Sequence, residues 1–159
     1  MNSNANDDPK AIALQQLTKA FNQMPFNQLL GLHLKTLTQK QVIVSFNMKE
    51  DLVGNFVHGI LHGGVISSVL DMVGGMAAMA TIIFKNPNTP LSELTTLLGK
   101  SSTIDLHVSY MQPGKGSCFT ATSEVMHSGN RICFTTMNLL NENEAIIASG
   151  TGTYQISAS

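Results

Sequence analysis

From residue 63 to residue 84 the chain reads GGVISSVLDMVGGMAAMATIIF, 22 residues carrying one charge, Asp71. No other feature restricts the fold as strongly. A run of that length and apolarity either crosses a bilayer or is buried on all sides inside a protein. Asp71 near its middle would cost about 2.5–3.5 kcal/mol on membrane insertion scales, and the glycine and serine pairs dilute its hydrophobicity further. The run therefore reads as a core helix and not as a membrane span.

The rest of the chain must cover that helix. Its 159 residues are enough for one hydrophobic core and seldom for two. Apolar residues make up 43% and charged residues 12%, which excludes a disordered chain, since staying open needs low hydrophobicity and high net charge. So few charges leave part of the outside to be covered by self-association, and a homo-oligomer is expected. The net charge of −1, from 9 Lys and Arg against 10 Asp and Glu, supplies no basic field for a nucleic acid.

Residues 1–9 are polar, lack an apolar signal core and are expected to fray. Residues 10–22 carry apolar side chains at 12, 14, 17, 20 and 21, an amphipathic helix stopped by Pro25. Residues 26–31 read as a turn with an apolar face. The segments 32–37 and 41–48 alternate as two strands around a turn at 38–40, and a polar loop with Gly54 and Asn55 leads to the core helix. Thr89-Pro90 and Gly99 bracket a short helix near 90–98. Strands follow at about 102–112, 117–128, 131–140 and 144–156, separated by Pro113-Gly114, Ser128-Gly129-Asn130 and Asn141-Glu142-Asn143. A tail and short helix over 1–25 thus precede one domain over 26–159.

The fold class is α+β. The antiparallel strands need an apolar body against one face, and only the core helix is large enough, so a sheet of about five to six strands should curl around it. With a turn centred near Gly129, Cys118 would face position 140 and Cys133 position 125, too far apart for a disulfide. Unpaired cysteines and no leader point to a reduced, cytoplasmic setting.

The chemistry concentrates where the core helix begins, at Gly59-Ile60-Leu61-His62-Gly63-Gly64. The first amides of a helix lack internal partners and sit at its positive end, where a carbonyl oxygen gaining negative charge is stabilised. A plain glycine turn with a backbone-bonded His62 is the bland alternative. Asp71 weighs against it, because a carboxylate inside an apolar helix is costly unless paired. Its neighbours at helical spacing are Ser67, Ser68, Gly74 and Gly75, none of them a cation; a hydrogen bond to Ser67 or Ser68 is the structural alternative. Gly64 and Asp71 are seven residues apart, about 10 Å along one helix. If both serve one reacting atom, the acid must come from a second subunit, which predicts a two-fold dimer with two identical sites.

The run Gly54-Asn55-Phe56-Val57-His58-Gly59-Ile60-Leu61-His62-Gly63-Gly64, with Asp71 nine residues after His62, resembles the hotdog-fold acyl-CoA thioesterases of the PaaI type. Thr103-Ile104-Asp105-Leu106, Tyr110-Met111-Gln112-Pro113 and Ser128-Gly129-Asn130-Arg131 continue the likeness over about residues 26–156. The 86–100 excursion places it nearest the YigI-like branch. The pattern departs at one point: Phe56 stands six residues before His62, where relatives often have Asn, and Asn55 precedes it by one.

The resemblance implies hydrolysis of an acyl-CoA thioester without metal or organic cofactor, by a homodimer with shared active sites or a pair of such dimers; the apolar helix and the 86–100 excursion favour a medium- or long-chain fatty acyl group over an aromatic one. It implies that the Gly64 amide polarises the carbonyl while His62 and Asn55 order the loop. Asp71 acts as general base or as nucleophile, and Thr103 holds the water or orients Asp71. Gly63 and the turn Ser128, Gly129, Asn130 and Arg131 would contact substrate, Arg131 meeting the CoA phosphates. Met72, Met76 and Met79 are core residues that could also line a tunnel for an acyl chain. His33, His58, His107 and His127 lack metal-ligand spacing, and neither Ser67 nor Ser68 has a nucleophile-elbow context. A non-catalytic acyl-binding hotdog protein and a hotdog dehydratase remain the alternatives.

Overall fold

A computed structural model describes residues 8–156. The expected fraying of residues 1–7 lies outside the described residues, whereas Asp8 and Pro9 are ordered parts of a helix start. The Asp8 carboxylate accepts from the Lys10 N–H at 3.0 Å, and Pro9 takes the first position of α1 (Pro9–Gln23), where its missing N–H costs nothing. Ala13, Leu17 and Phe21 form the buried stripe of α1.

Of residues 26–31, expected as a turn, 26–30 instead belong to α2 (Pro25–Leu30). Pro25 ends α1 but is itself a favourable first residue for the next helix. Gly31, left-handed at φ 74, closes α2. The buried Asn27 side chain donates to the Phe21 carbonyl at 2.9 Å and ties the two helices together.

The strands are β1 (His33–Leu37), β2 (Gln41–Asn47), β3 (Val53–Asn55) and β4 (Ile60–Leu61); after α3 (Gly63–Lys85) and α4 (Leu91–Leu98) come β5 (Ser102–Tyr110), β6 (Cys118–Ser128), β7 (Ile132–Asn141) and β8 (Ile146–Gln155). Six of them form one antiparallel sheet in the order β1-β2-β6-β7-β8-β5, and β3 and β4 make a separate small hairpin. That hairpin stands where only a polar loop was expected; strands of two and three residues are too short to show alternation.

The long helix α3 lies across the concave face of the sheet. Val42, Val44, Phe46, Phe119, Ala121, Met137 and Leu139 point inward, against Leu70, Val73 and Ile83 of α3. Each of these side chains larger than alanine contributes about 1.5–3 kcal/mol when fully buried. Of the most apolar window of α3, 67% is buried, so its apolarity serves the core.

In the β6–β7 hairpin Ser128, and not position 125, faces Cys133, and Phe119 faces Asn141. The turn is centred past Asn130 rather than at Gly129, and a bulge between Val125 and His127 adds a further shift. Both cysteines are free. The sheet ends in two edge strands, β1 and β5, and β5 is exposed along most of its length.

Candidate active site

Asp71 sits in the second third of α3, half-buried, and two neighbouring strand residues hold it. The Thr103 hydroxyl donates to Asp71 Oδ1 at 2.9 Å, and the Tyr154 hydroxyl donates to the Asp71 backbone carbonyl at 3.2 Å. Thr103 and Tyr154 are direct cross-strand partners on β5 and β8, so one rung of the sheet grips the residue from below. Ser67 and Ser68, the alternative partners, both donate to the Gly64 carbonyl, at 3.1 and 2.7 Å. Burial first, then the Asp71 charge and a hydrogen bond with its side chain, push the Tyr154 phenol far above its ordinary value of 10.0. It is therefore a permanent donor. Nothing in the sequence marked Tyr154 beyond its inward place in an alternating strand.

At the start of α3, His62 is the cap. Its Nδ1 accepts from the Gly64 N–H at 2.9 Å, and its carbonyl accepts from Val65 and Ile66. The Gly64 amide, expected to meet the substrate carbonyl, is thus engaged by His62. Among the described residues, no hydrogen bond takes the Gly63 N–H, the remaining donor of this turn. The Gly63 carbonyl accepts from the Tyr110 hydroxyl at 3.0 Å, which fastens this end of α3 to the far end of β5.

Gly54 allows the small hairpin to lie directly on His62: a Cβ there would sit 2.5 Å from the His62 Cα. Asn55 follows a bulge between Val53 and Asn55. Its Oδ1 accepts from the Val57 and His58 N–H groups at 3.1 and 3.3 Å, so it orders the loop that leads to His62.

The helix runs unbroken from Gly63 to Lys85, so one protomer holds its Gly63 and Asp71 about 12 Å apart along the axis. Asp71 and Thr103 stand together; Gly63, Gly64 and His62 form a second group; and the β6–β7 turn is a third. There Lys85 Nζ donates to the Ser128 carbonyl, Ser128 Oγ and the Gly129 carbonyl at 2.8, 2.8 and 2.7 Å. Asn130 and Arg131 remain exposed at the tip. Lys85 was not foreseen at this turn, although a cation in the last turn of a helix is a recognisable signal.

A cavity of about 590 Å³ opens beside Asp71 and Thr103 and runs between α1, α3 and α4. Leu17, Phe21, Met24, Met72, Met76 and Met79 give it an apolar wall. The three α3 methionines were anticipated; the contribution of α1 was not, because periodicity shows that a helix has an apolar face but not what it covers. Among the described residues, no group of three or more His, Cys, Asp or Glu side chains is placed to hold a metal.

Residues 58–148 match the family model described as the thioesterase superfamily. The chain belongs to that family. This thioesterase-superfamily chain is 39% identical over 133 residues to the medium/long-chain acyl-CoA thioesterase YigI of Salmonella typhimurium, covering 84% of this chain and 86% of the relative. Identity to the YigI protein of Escherichia coli is 38% over the same span. A crystal structure of a protein from Shewanella oneidensis related to the thioesterase superfamily superposes with a TM-score of 0.89 at 42% identity, covering 93% of this chain and 97% of that one. The PaaI protein of Escherichia coli shares the fold at a TM-score of 0.74 and 15% identity, covering 95% of this chain and 97% of that one. The α+β hotdog architecture, a long central helix under a curved six-stranded antiparallel sheet, is that of these thioesterase structures.

Proposed function

We propose that this protein hydrolyses medium- and long-chain fatty acyl-CoA at sites shared between two copies of the chain. The observation that carries the reading is the methionine-lined cavity ending at Asp71 and Thr103. From Asp71 to Met79 it extends about 12 Å along α3. Carbon–carbon bonds of about 1.5 Å at tetrahedral angles advance about 1.3 Å each, so that stretch accommodates a chain of roughly nine carbons. Flexible thioethers suit a chain of variable length. The YigI relatives carry the same activity in their name.

The edge strand β5 supports a shared site. Its second residue, Thr103, holds Asp71, and its last, Tyr110, holds the start of α3 through the Gly63 carbonyl. Two β5 strands pairing antiparallel about a point between Leu106 and His107 would bring Thr103 of one copy beside Tyr110 of the other. The carboxylate of one protomer then stands at the helix N-terminus of its partner. Pairing would also cover an otherwise open edge. A pair of such dimers and a cytoplasmic setting complete the proposal.

In that site the thioester carbonyl accepts from the Gly63 N–H, while the Gly64 N–H stays with His62. Asp71 removes a proton from water as its oxygen bonds to the carbonyl carbon. The tetrahedral oxyanion collapses, the C–S bond breaks, and CoA leaves as thiolate and takes up a proton. Direct attack by Asp71, giving an anhydride that water then opens, uses the same groups. Asn130 and Arg131, with Lys85 beneath them, offer a polar and cationic surface for the CoA phosphates. About 21 Å along α3 separates Lys85 from Asp71 of its own chain, so this surface would serve a neighbouring protomer's site. His62 Nδ1 is committed as an acceptor to Gly64, which favours hydrolysis over a dehydratase needing a histidine base.

Thiol release from acyl-CoAs of two to sixteen carbons, plus benzoyl- and phenylacetyl-CoA, tests the reading. Wild type should prefer medium or long chains, and Asp71→Asn should lose release by about a hundredfold or more. A folded wild-type protein that binds but never releases thiol would make it a carrier.

A further inference from the structure

We infer that Tyr154 is a positioning residue for Asp71: its buried hydroxyl, seated against glycines of α3 and β8, sets the orientation of the acid. The inference rests on Asp71 being the reacting acid. Its own support is steric as well as polar. The Tyr154 ring is buried at 2% exposure, and its hydroxyl reaches the Asp71 carbonyl at 3.2 Å. That approach exists only because Gly74 stands one turn further along α3. A Cβ at Gly74 would lie 2.3 Å from the Tyr154 oxygen, and one at Gly152, two residues before Tyr154 on β8, would lie 2.5 Å from its ring. Two missing side chains thus make a niche fitted to this phenol.

A glycine in a helix interior costs roughly 1 kcal/mol against alanine, and Gly74 is inside the core helix. The niche places a donor against the one backbone carbonyl whose residue carries the acid. Thr103, the cross-strand partner of Tyr154, meanwhile fixes one carboxylate oxygen. With both the Asp71 backbone and Oδ1 held, the side chain has one direction in which to present its charge. A misplacement of 1 Å at such a group costs up to about a hundredfold in rate.

Tyr154→Phe keeps the ring and removes only the hydroxyl. In the dimeric enzyme assayed with decanoyl-CoA, kcat should fall about tenfold or more with KM changed less than about twofold. A smaller folded fraction would lower kcat only in proportion to the folded protein measured by circular dichroism. Gly74→Ala is the second variant: it improves the helix and pushes the phenol away, so it should also lower kcat. Adding Tyr154→Phe to it removes the nearest atom that the new methyl meets and leaves Met137 Sδ at 2.9 Å and Thr135 Oγ1 at 3.0 Å, so Gly74→Ala should cost less in the Tyr154→Phe background than it costs in wild type.

Wild-type kcat in folded Tyr154→Phe would overturn the inference, as would wild-type kcat in Gly74→Ala if Tyr154→Phe does not fold. Loss of activity in Asp71→Asn alongside either result leaves the reading of Asp71 standing. Full activity in Asp71→Asn would remove that reading and this inference with it.

Discussion

Thr103 Oγ1 donates to Asp71 Oδ1 across 2.9 Å, joining the start of an edge strand to the acid of the core helix. Thr103 is exposed, so the bond contributes little to folding and its consequence lies in where the carboxylate points. Thr103→Val keeps the shape and removes the donor; kcat should fall about tenfold with the melting temperature nearly unchanged, and Thr103→Ser should recover most of it. Equal kcat in the valine and wild-type enzymes would dismiss the role.

Gly63→Pro is a clean deletion of one N–H. Gly63 is the first residue of α3, and His62 before it has φ −65 and ψ 137, a conformation that proline favours in its neighbour. The nearest atom a Cβ would meet is in the Tyr110 ring at 3.5 Å. The variant should fold like wild type and lose about a hundredfold or more in kcat, the cost of removing an oxyanion donor. Retained kcat would assign that donor elsewhere.

Met79 marks the end of the cavity away from Asp71 along α3. Met79→Phe should fill that end, raising KM for dodecanoyl-CoA about tenfold while hexanoyl-CoA changes less than about twofold. An unchanged chain-length profile would place the acyl group in another groove.

Burial pushes the Cys133 thiol up, against smaller downward effects of hydrogen bonds with Ser128 and Thr81 and of the Lys85 charge. The folded state therefore holds this proton where the unfolded chain releases it. The stability so linked is complete below the ordinary value of 9.0 and is lost as pH rises from there through the folded value. Tyr154 acts in the same direction above 10.0. Melting temperature should decline from about pH 9 upward, and Cys133→Ala should flatten the first part of that decline. Superimposable slopes would exclude the thiol.

Much of the fold could be read from the chain because its signals are local. The single charge in 22 residues identified α3, and two-residue alternation identified the six strands of the main sheet. Pro25 misled, since it ends one helix and begins another. The β3–β4 hairpin was hidden by its brevity. In the site, Asp71 stood out through the cost of burying an acid, and Thr103 through resemblance. A backbone-bonded His62 was the bland alternative and is what the structure has; that its partner would be the Gly64 amide was not legible, because histidine is not a favoured cap. Tyr154 lies 83 residues from Asp71, and only the sheet brings them together.

The most direct test joins Asp71→Asn and Gly63→Pro in one molecule. Each variant alone should be nearly inactive. Co-expressed with different tags and purified as heterodimers, they should regain about half of wild-type thiol release, because two-fold symmetry leaves one of two sites intact. Release from heterodimers no faster than from either parent would contradict a site in which one protomer's acid faces its partner's helix.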